Sequence, residues 1–177
     1  MKKLLFITLL SASVLISCDK ISKLTQFNLE YDETVVIPAT LGANIPFNVQ
    51  TPDIETDSES SFSVNDTRKD LIEHIELTQM TLTVSSPSNG TFSFLKSIKV
   101  YISADGLDEI EVASKENIPD DVGNTLALET TDTDLKEYIK KDNFNLKVTT
   151  ITDEIISTDY TIDIHSVFFV DAKILGF

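Results

Sequence analysis

Apolar and polar residues alternate with a period of two over most of the chain from Phe27 onward. The first such segment places Phe27, Leu29 and Tyr31 on one face, and Pro38 ends it. Strict alternation is typical of strands with one face in a core and the other in solvent. The same reasoning predicts strands at residues 45–49, 75–84, 92–102, 110–112, 125–129, 144–152 and 158–172.

One of these predicted strands belongs at the edge of a sheet. The segment Ile45–Val49 contains Pro46, and proline has no N–H group to donate to a neighbouring strand. A second irregularity lies between Leu77 and Met80, where the alternation changes phase. A phase change of this kind predicts a β-bulge or a junction between a helix and a strand.

Helices are predicted in few places. The best candidate runs from Asp132 to Lys141, with an acidic or hydroxyl cap at its start and two lysines at its end, where they complement the helix dipole. Residues 65–75 are ambiguous, because Asp66 or Thr67 could cap a short helix or a strand could begin near Leu71. Residues 51–61 are predicted to be a loop that begins near Pro52.

These elements predict an all-β fold. Many short strands separated by turn signals favour an antiparallel β-sandwich of immunoglobulin-like or related topology, with one or two short helices. The alternative is a closed antiparallel barrel. Residues 27–177 are long enough to form a single domain with its own core, without disulfide bonds.

The N-terminal residues have a different pattern. Lys2 and Lys3 are followed by an apolar run and then by Leu15, Ile16, Ser17 and Cys18. Residues 1–17 are typical of a secretory signal peptide, too short and wrongly flanked for a stable transmembrane helix. The segment Leu15–Cys18 resembles the lipobox of bacterial lipoproteins, in which an aliphatic residue lies three positions before the cysteine and a small residue directly before it.

The resemblance implies that Cys18 is acylated, that residues 1–17 are removed and that residues 18–26 form a lipidated tether to the membrane. Cys18 is the only cysteine in the chain, and lipidation would explain an unpaired thiol in an exported protein. The expected location is the cell envelope. In lipoproteins of some Gram-negative bacteria, an aspartate directly after the lipidated cysteine, as at Asp19, is a signal for retention in the inner membrane. In others it has no such meaning, and the outer membrane is favoured here.

The charge of the chain limits its partners. The formal net charge is −15, and loss of Lys2 and Lys3 would leave 12 basic against 29 acidic side chains, a charge of −17. Such a surface repels nucleic acid, so no nucleic-acid partner is expected. It favours cations or basic partners. The oligomeric state does not follow from the sequence.

Two acidic segments are candidate cation ligands. Asp53, Glu55, Asp57 and Glu59 have the spacing at which a calcium loop begins, but Ser58 replaces the turn glycine and Val64 the terminal glutamate. A solvated acidic loop is the favoured interpretation. Acidic residues also flank Gly106, and turn chemistry explains them equally well. These are Asp105, Asp108 and Glu109.

No catalytic constellation is found in the sequence. His74 and His165 are the two histidines, and their separation does not require a shared metal site. The chain lacks the serine-hydrolase elbow, the phosphate-binding glycine loop and the zinc-protease helix motif. No catalytic residue, metal ligand or cofactor is therefore assigned.

The sequence leads to three hypotheses. The first is a non-enzymatic interaction or structural module, anchored in the membrane, whose partner is another envelope protein that meets the edge strand at Ile45–Val49. The second is a lipoprotein that binds a small ligand, a glycan or calcium. The third is a hydrolase, which would need acid and base residues that converge in a pocket.

Overall fold

The computed structural model describes residues 26–39, 43–44, 46–152 and 154–173, so the predicted signal peptide and Cys18 lie outside the described residues. This part of the chain forms a four-stranded and a six-stranded antiparallel sheet. The strands are β1 (Gln26–Ile37), β2 (Pro46–Gln50), β3 (Ile54–Glu55), β4 (Ile72–Ser86), β5 (Leu95–Ser103), β6 (Ile110–Glu116), β7 (Thr125–Ala127), β8 (Glu129–Thr130), β9 (Asn143–Thr152) and β10 (Tyr160–Ala172). Helix α1 is Ser58–Val64, helix α2 is Lys136–Ile139, and single 3-10 turns cover Lys69–Leu71 and Phe92–Phe94.

The order of the strands defines the topology. The four-stranded sheet runs β1-β10-β4-β7, and the larger sheet runs β2-β9-β5-β6-β8, with β3 added beside β9. If the two-residue strands β3 and β8 are left out, the first strand pairs with the last, the second with the seventh, the third with the sixth and the fourth with the fifth. A long hairpin folded over itself in this way is a jelly roll. The predicted antiparallel β-sandwich is therefore confirmed, and its topology is that of a jelly roll.

The core lies between the two sheets because alternate residues of each strand face inward. On β9, Phe144, Leu146, Val148 and Thr150 are all buried, as the alternation predicts. On β4, the register moves from Gln79 opposite Val167 to Leu77 opposite Phe168, which leaves one extra residue at position 78. The predicted bulge is confirmed at this point.

Three predictions of local structure are wrong. Phe92 and Phe94 form a 3-10 turn instead of starting a strand, and the turn buries both rings. Residues 125–129 are not one strand. Strand β7 pairs with β4, and the backbone N–H of Leu128 extends this pairing by donating to the carbonyl of Met80, whereas β8 pairs with β6 in the other sheet.

The third error concerns the helices. The helix predicted over Asp132–Lys141 is reduced to α2, because the backbone N–H of Leu135 donates to the carbonyl of Ile75 at 2.6 Å. The carboxylate of Asp134 then accepts from the backbone N–H of Lys136 at 3.1 Å and starts the short helix. The longer helix, α1, lies where a loop was predicted and ends before the ambiguous segment.

Candidate functional site

The segment from β3 to α1 closes one end of the sandwich, here called the capped end. Strand β3 pairs with the start of β9, and Ile54 lies opposite Phe144. Thr56 then fastens the segment to the chain before β9, since its hydroxyl donates to the carbonyl of Lys141 at 2.6 Å. Its backbone N–H donates to the carbonyl of Asp142 at 3.0 Å. These bonds hold together residues that lie 85 and 86 positions apart in the chain.

Helix α1 follows directly from a sharp turn. Asp57 has a φ of 45°, in the left-handed region, and this redirects the chain over the end of the sheets. The helix is anchored by Phe62, which is fully buried and meets the Phe27 ring edge to face at 6.2 Å between centroids. Four of its seven residues are serines, which are weak helix formers, so packing of Phe62 holds the helix in place.

Tyr31 of β1 supports this segment from below. Its ring packs edge to face against Phe144 at 5.3 Å and Phe168 at 5.6 Å. Its hydroxyl donates to the carbonyl of Thr56 at 2.9 Å. Burial raises the pKa of Tyr31 well above its usual range, and the nearby charge of Asp57 raises it further. The Tyr31 hydroxyl therefore stays protonated at neutral pH and remains a hydrogen-bond donor.

Two open clefts flank the β3–α1 segment. The first, here called the β1–α1 cleft, has a volume of about 390 Å³. It is lined by Asn28, Leu29, Glu30, Tyr31, Glu55, Thr56, Asp57, Ser61, Val64 and Asn65. The second has about 420 Å³ and lies on the other side, between residues 55–60 and Lys69, Asp142 and Asn143. Both clefts are rich in carboxylates.

The four carboxylates at calcium-loop spacing do not converge. Asp53 accepts a hydrogen bond from the side chain of Asn145 at 2.7 Å, and Glu59 lies 3.8 Å from the ammonium group of Lys69. Glu55 and Asp57 line the clefts. Among the residues that the structure describes, no three His, Cys, Asp or Glu side chains are placed to share a metal ion. The regular spacing in the sequence therefore does not bring these four side chains to one point, and Asp53 and Glu59 have separate partners.

The acidic turn between β5 and β6 is held by other contacts. The carbonyl of Asp108 accepts from the hydroxyl of Tyr138 at 2.6 Å, and Glu109 forms an ion pair with Lys147. Asp105 lies exposed beside Gly106, whose φ of 73° is the left-handed conformation that favours glycine. Turn geometry and local pairing account for these residues.

The two histidines lie on the outer face of the four-stranded sheet and line neither cleft. His165 Nδ1 is 2.7 Å from Asp32 Oδ1, on the adjacent strand. His74 Nε2 is 3.2 Å from Glu76 Oε2, and its Nδ1 is 3.5 Å from Asp134 Oδ1. His74 has two carboxylate neighbours and His165 has one, and none of them is shared, so the two histidines do not meet at one site.

The predicted edge strand is confirmed. Ile45 lies outside the described residues, but β2 (Pro46–Gln50) pairs only with β9 and forms an edge of the larger sheet. Strand β1 is likewise an edge, of the smaller sheet, and among the described residues it pairs only with β10, over twelve residues. The two edge strands contact each other along one side of the sandwich.

Sequence reasoning missed three residues of the β1–α1 cleft. Glu30, Tyr31 and Val64 belong to segments far apart in the chain, and only the tertiary fold brings them together. Val64 gave a weak signal, as an apolar residue among polar ones, and 80% of its surface is exposed.

No helix among the described residues has the length and apolar character needed to cross a membrane.

No family model and no curated protein sequence matches this chain. Among solved structures, it is similar to N-glycanase F (PNGase F), with 15% identity and a TM-score of 0.43 over 86% of this chain and 44% of that one. It is similar to the BFDV capsid protein, with 8% identity and a TM-score of 0.40 over 84% and 98%. It is also similar to carbohydrate-binding modules of the β-sandwich superfamily, with 15% identity and a TM-score of 0.30 over 86% and 57%.

The chain spans less than half the length of the N-glycanase F structure. Identities and TM-scores this low carry no argument about what the chain binds or catalyses. The fold class rests on the two antiparallel sheets and their strand order.

Proposed function

We propose that this chain is a lipid-anchored protein of the bacterial cell envelope, attached through Cys18 to the outer membrane, and that its jelly roll is a non-enzymatic interaction module. The observation that carries the proposal is the lone cysteine at the end of a signal-peptide pattern, eight residues before β1 begins. Acyl chains anchor by about 0.8 kcal/mol per buried CH₂, and at least two chains are needed for stable attachment. A diacylated or triacylated Cys18 meets this requirement.

The anchor would fix the orientation of the domain. Gln26 lies opposite Asp171 at the capped end, so the described chain begins and ends there. A tether from Cys18 to Gln26 reaches at most roughly 29 Å when fully extended. The capped end would therefore lie near the membrane, and the loops after β4, β6 and β9 would point away from it.

The interaction role is supported by the two open edges. An edge strand exposes unpaired N–H and C=O groups, which another chain can pair with. Strands β1 and β2 present two such edges on one side of the molecule. In this proposal the partner is another envelope protein, and the short edge at β2 is one place for it to bind.

The same proposal assigns no catalytic residue. The histidines are the natural candidates for a general base, and each is held by carboxylates on a sheet face outside the two clefts. A hydrolase would need such a group beside a nucleophile or a water in a pocket.

The anchor is tested by intact-mass measurement of the protein from its native host, beside a Cys18→Ala variant. We expect the wild type to carry the mass of acyl chains at Cys18 and to partition into detergent, and the variant to do neither. An unmodified, detergent-excluded wild type would overturn the proposal and leave Cys18 as a free thiol in a secreted protein.

Glycan binding is a second candidate, favoured by one surface. The outer face of the larger sheet carries Tyr101 in register with Lys147, and Asn145 and Thr149 lie on the same face of β9. Aromatic rings with amide and hydroxyl neighbours suit sugar rings, although the Lys147 ammonium group lies 4.9 Å from the Tyr101 centroid and covers part of it. A glycan that raises the melting temperature of the wild type but not of Tyr101→Ala would support this role. An equal shift in both would place the glycan elsewhere.

A further inference from the structure

The β1–α1 cleft runs along the open side of an edge strand. Four consecutive residues of β1, Asn28 to Tyr31, line it. Successive side chains of a strand point to opposite faces, so only a cleft along the edge of the strand meets all four. The opposite side of these residues is paired with β10. The unpaired backbone of β1 therefore faces an open channel whose far wall is α1.

The walls of this channel combine negative charge with one apolar surface. Glu30, Glu55 and Asp57 line it, and none of them forms an ion pair among the residues that the structure describes. Lys69 lies in the other cleft, between Glu59 and Asp142. On the helix, Val64 is the most exposed large apolar residue of the described chain, at 80%.

We propose that the β1–α1 cleft binds an extended segment of a partner protein in which basic and apolar side chains alternate, added as a strand to the edge of β1. Main-chain hydrogen bonds to β1 would hold such a segment, and its alternate side chains would point to opposite faces of the extended sheet. Its basic side chains would meet Glu30, Glu55 and Asp57, and an apolar one would cover Val64. This inference gives the partner of the proposed interaction module a chemistry, and in that sense it rests on the proposed function.

A second copy of this chain is a poor occupant. Strand β1 carries Glu30, Asp32 and Glu33 within four positions, so antiparallel pairing of two β1 edges would bring like charges opposite each other. Glu33 is also half-buried on the inward face, where burial and the charge of Asp32 raise its pKa. Inward charges on an edge strand oppose self-pairing. The edge of β1 therefore disfavours pairing with a second copy of this chain and favours a basic strand.

The binding is tested with the purified protein and a short acetylated peptide of alternating lysine and valine. We expect saturable binding by calorimetry, with amide hydrogen exchange slowed at residues 27–31. Two control peptides should fail to bind: one with glutamate in place of lysine, and one with alternate backbone amides methylated. Equal binding of the methylated peptide would overturn strand addition, because that peptide keeps every charge but loses its main-chain donors.

The site is tested with a charge-matched pair of variants. Glu30→Gln with Glu55→Gln should weaken peptide binding by roughly threefold to tenfold, from the loss of two ion pairs. Asp120→Asn with Asp121→Asn removes the same charge from an exposed loop at the other end and should leave the affinity unchanged. Equal weakening by both pairs would show non-specific attraction to an acidic protein and would overturn the assignment.

This result is separable from the anchor. If Cys18 proves unmodified while the peptide still protects residues 27–31, the proposed peptide site is supported and the proposed lipid attachment is overturned. If Cys18 is acylated but no peptide protects β1, the anchor stands and this site is wrong.

Discussion

The two ends of the sandwich are closed by different means. At the capped end, side chains from distant segments meet, with Phe62 on Phe27 and the hydroxyl of Tyr31 bonded to the carbonyl of Thr56. At the opposite end, here called the loop end, backbone groups of neighbouring turns bond directly. There the N–H of Phe92 donates to the carbonyl of Gly123 at 3.0 Å, and within one turn the N–H of Gly90 donates to the carbonyl of Pro87 at 2.8 Å.

This difference indicates where each end is vulnerable. The capped end depends on large side chains, so it should be sensitive to their removal. The loop end also buries the rings of Phe92 and Phe94, but it adds close backbone packing, so it should be sensitive to added atoms as well. The β1–α1 cleft, with its unpaired carboxylates, lies at the capped end, which the β3–α1 segment closes.

The strongest test of the capped end is Phe62→Ala. Because Phe62 is fully buried and anchors α1, we expect a loss of about 3–5 kcal/mol in the free energy of unfolding. Denaturant unfolding measures this loss, and hydrogen exchange should accelerate first at residues 54–67. Exchange that accelerates equally across the domain would show that α1 is an integral part of the core and no separately applied cap.

The matching test of the loop end is Gly90→Ala. An added Cβ would lie 2.7 Å from Val84 Cγ1 and 3.0 Å from the carbonyl oxygen of Pro87, so part of the turn must move. We expect a destabilisation of about 1–3 kcal/mol, measured by thermal or denaturant unfolding. Gly123→Ala is the control, because nothing lies within 4 Å of its Cβ. If both variants unfold alike, close packing does not explain the stability of this end.

A smaller effect is expected from Tyr31→Phe. The variant keeps the ring packing but leaves the carbonyl of Thr56 without its donor, which should cost about 1 kcal/mol in unfolding free energy at neutral pH. Tyr160→Phe serves as the control at the loop end, since its ring packs on Phe94 and its hydroxyl has no hydrogen-bond partner among the described residues. A larger loss in the control would contradict the importance given to the Tyr31 bond.

The difference in unfolding free energy between wild type and Tyr31→Phe should depend on pH. Burial raises the folded-state pKa of Tyr31 above its usual 10.0, so its contribution is complete below pH 10 and is lost as the pH rises beyond that value. We expect the stability difference between wild type and Tyr31→Phe to shrink in alkaline solution, as followed by urea unfolding across this range. A difference that stays constant would mean that the hydroxyl is not buried in solution.

The loop end also shows how far the sequence could predict the fold. Alternation predicted β1, β5, β9 and β10 because each buries every second residue over a long stretch. It failed at Phe92 and Phe94, since a 3-10 turn can also bury residues two positions apart. Period alone does not separate these cases.

The capped end could not be predicted in the same way. The serine-rich segment before Phe62 has low helix propensity, so α1 forms only because the Phe27 ring and the sheet end offer a place to pack. The acidic spacing from Asp53 to Glu59 was visible in the sequence, but the separate partners of Asp53 and Glu59, which are Asn145 and Lys69, were not. The cleft was not visible, because it needs Glu30 and Val64 to lie beside that segment.

The pairing of β1 with β10 has a mechanical consequence. Because Gln26 and Asp171 are neighbours, pulling the two ends of the domain apart would break the twelve-residue ladder one rung at a time, as a zipper opens. A load applied between Gln26 and the loop end runs along β1 instead, and all rungs resist it together in shear. We therefore expect the jelly roll to withstand far more tension when it is pulled between Gln26 and the loop end than when it is pulled between Gln26 and Asp171.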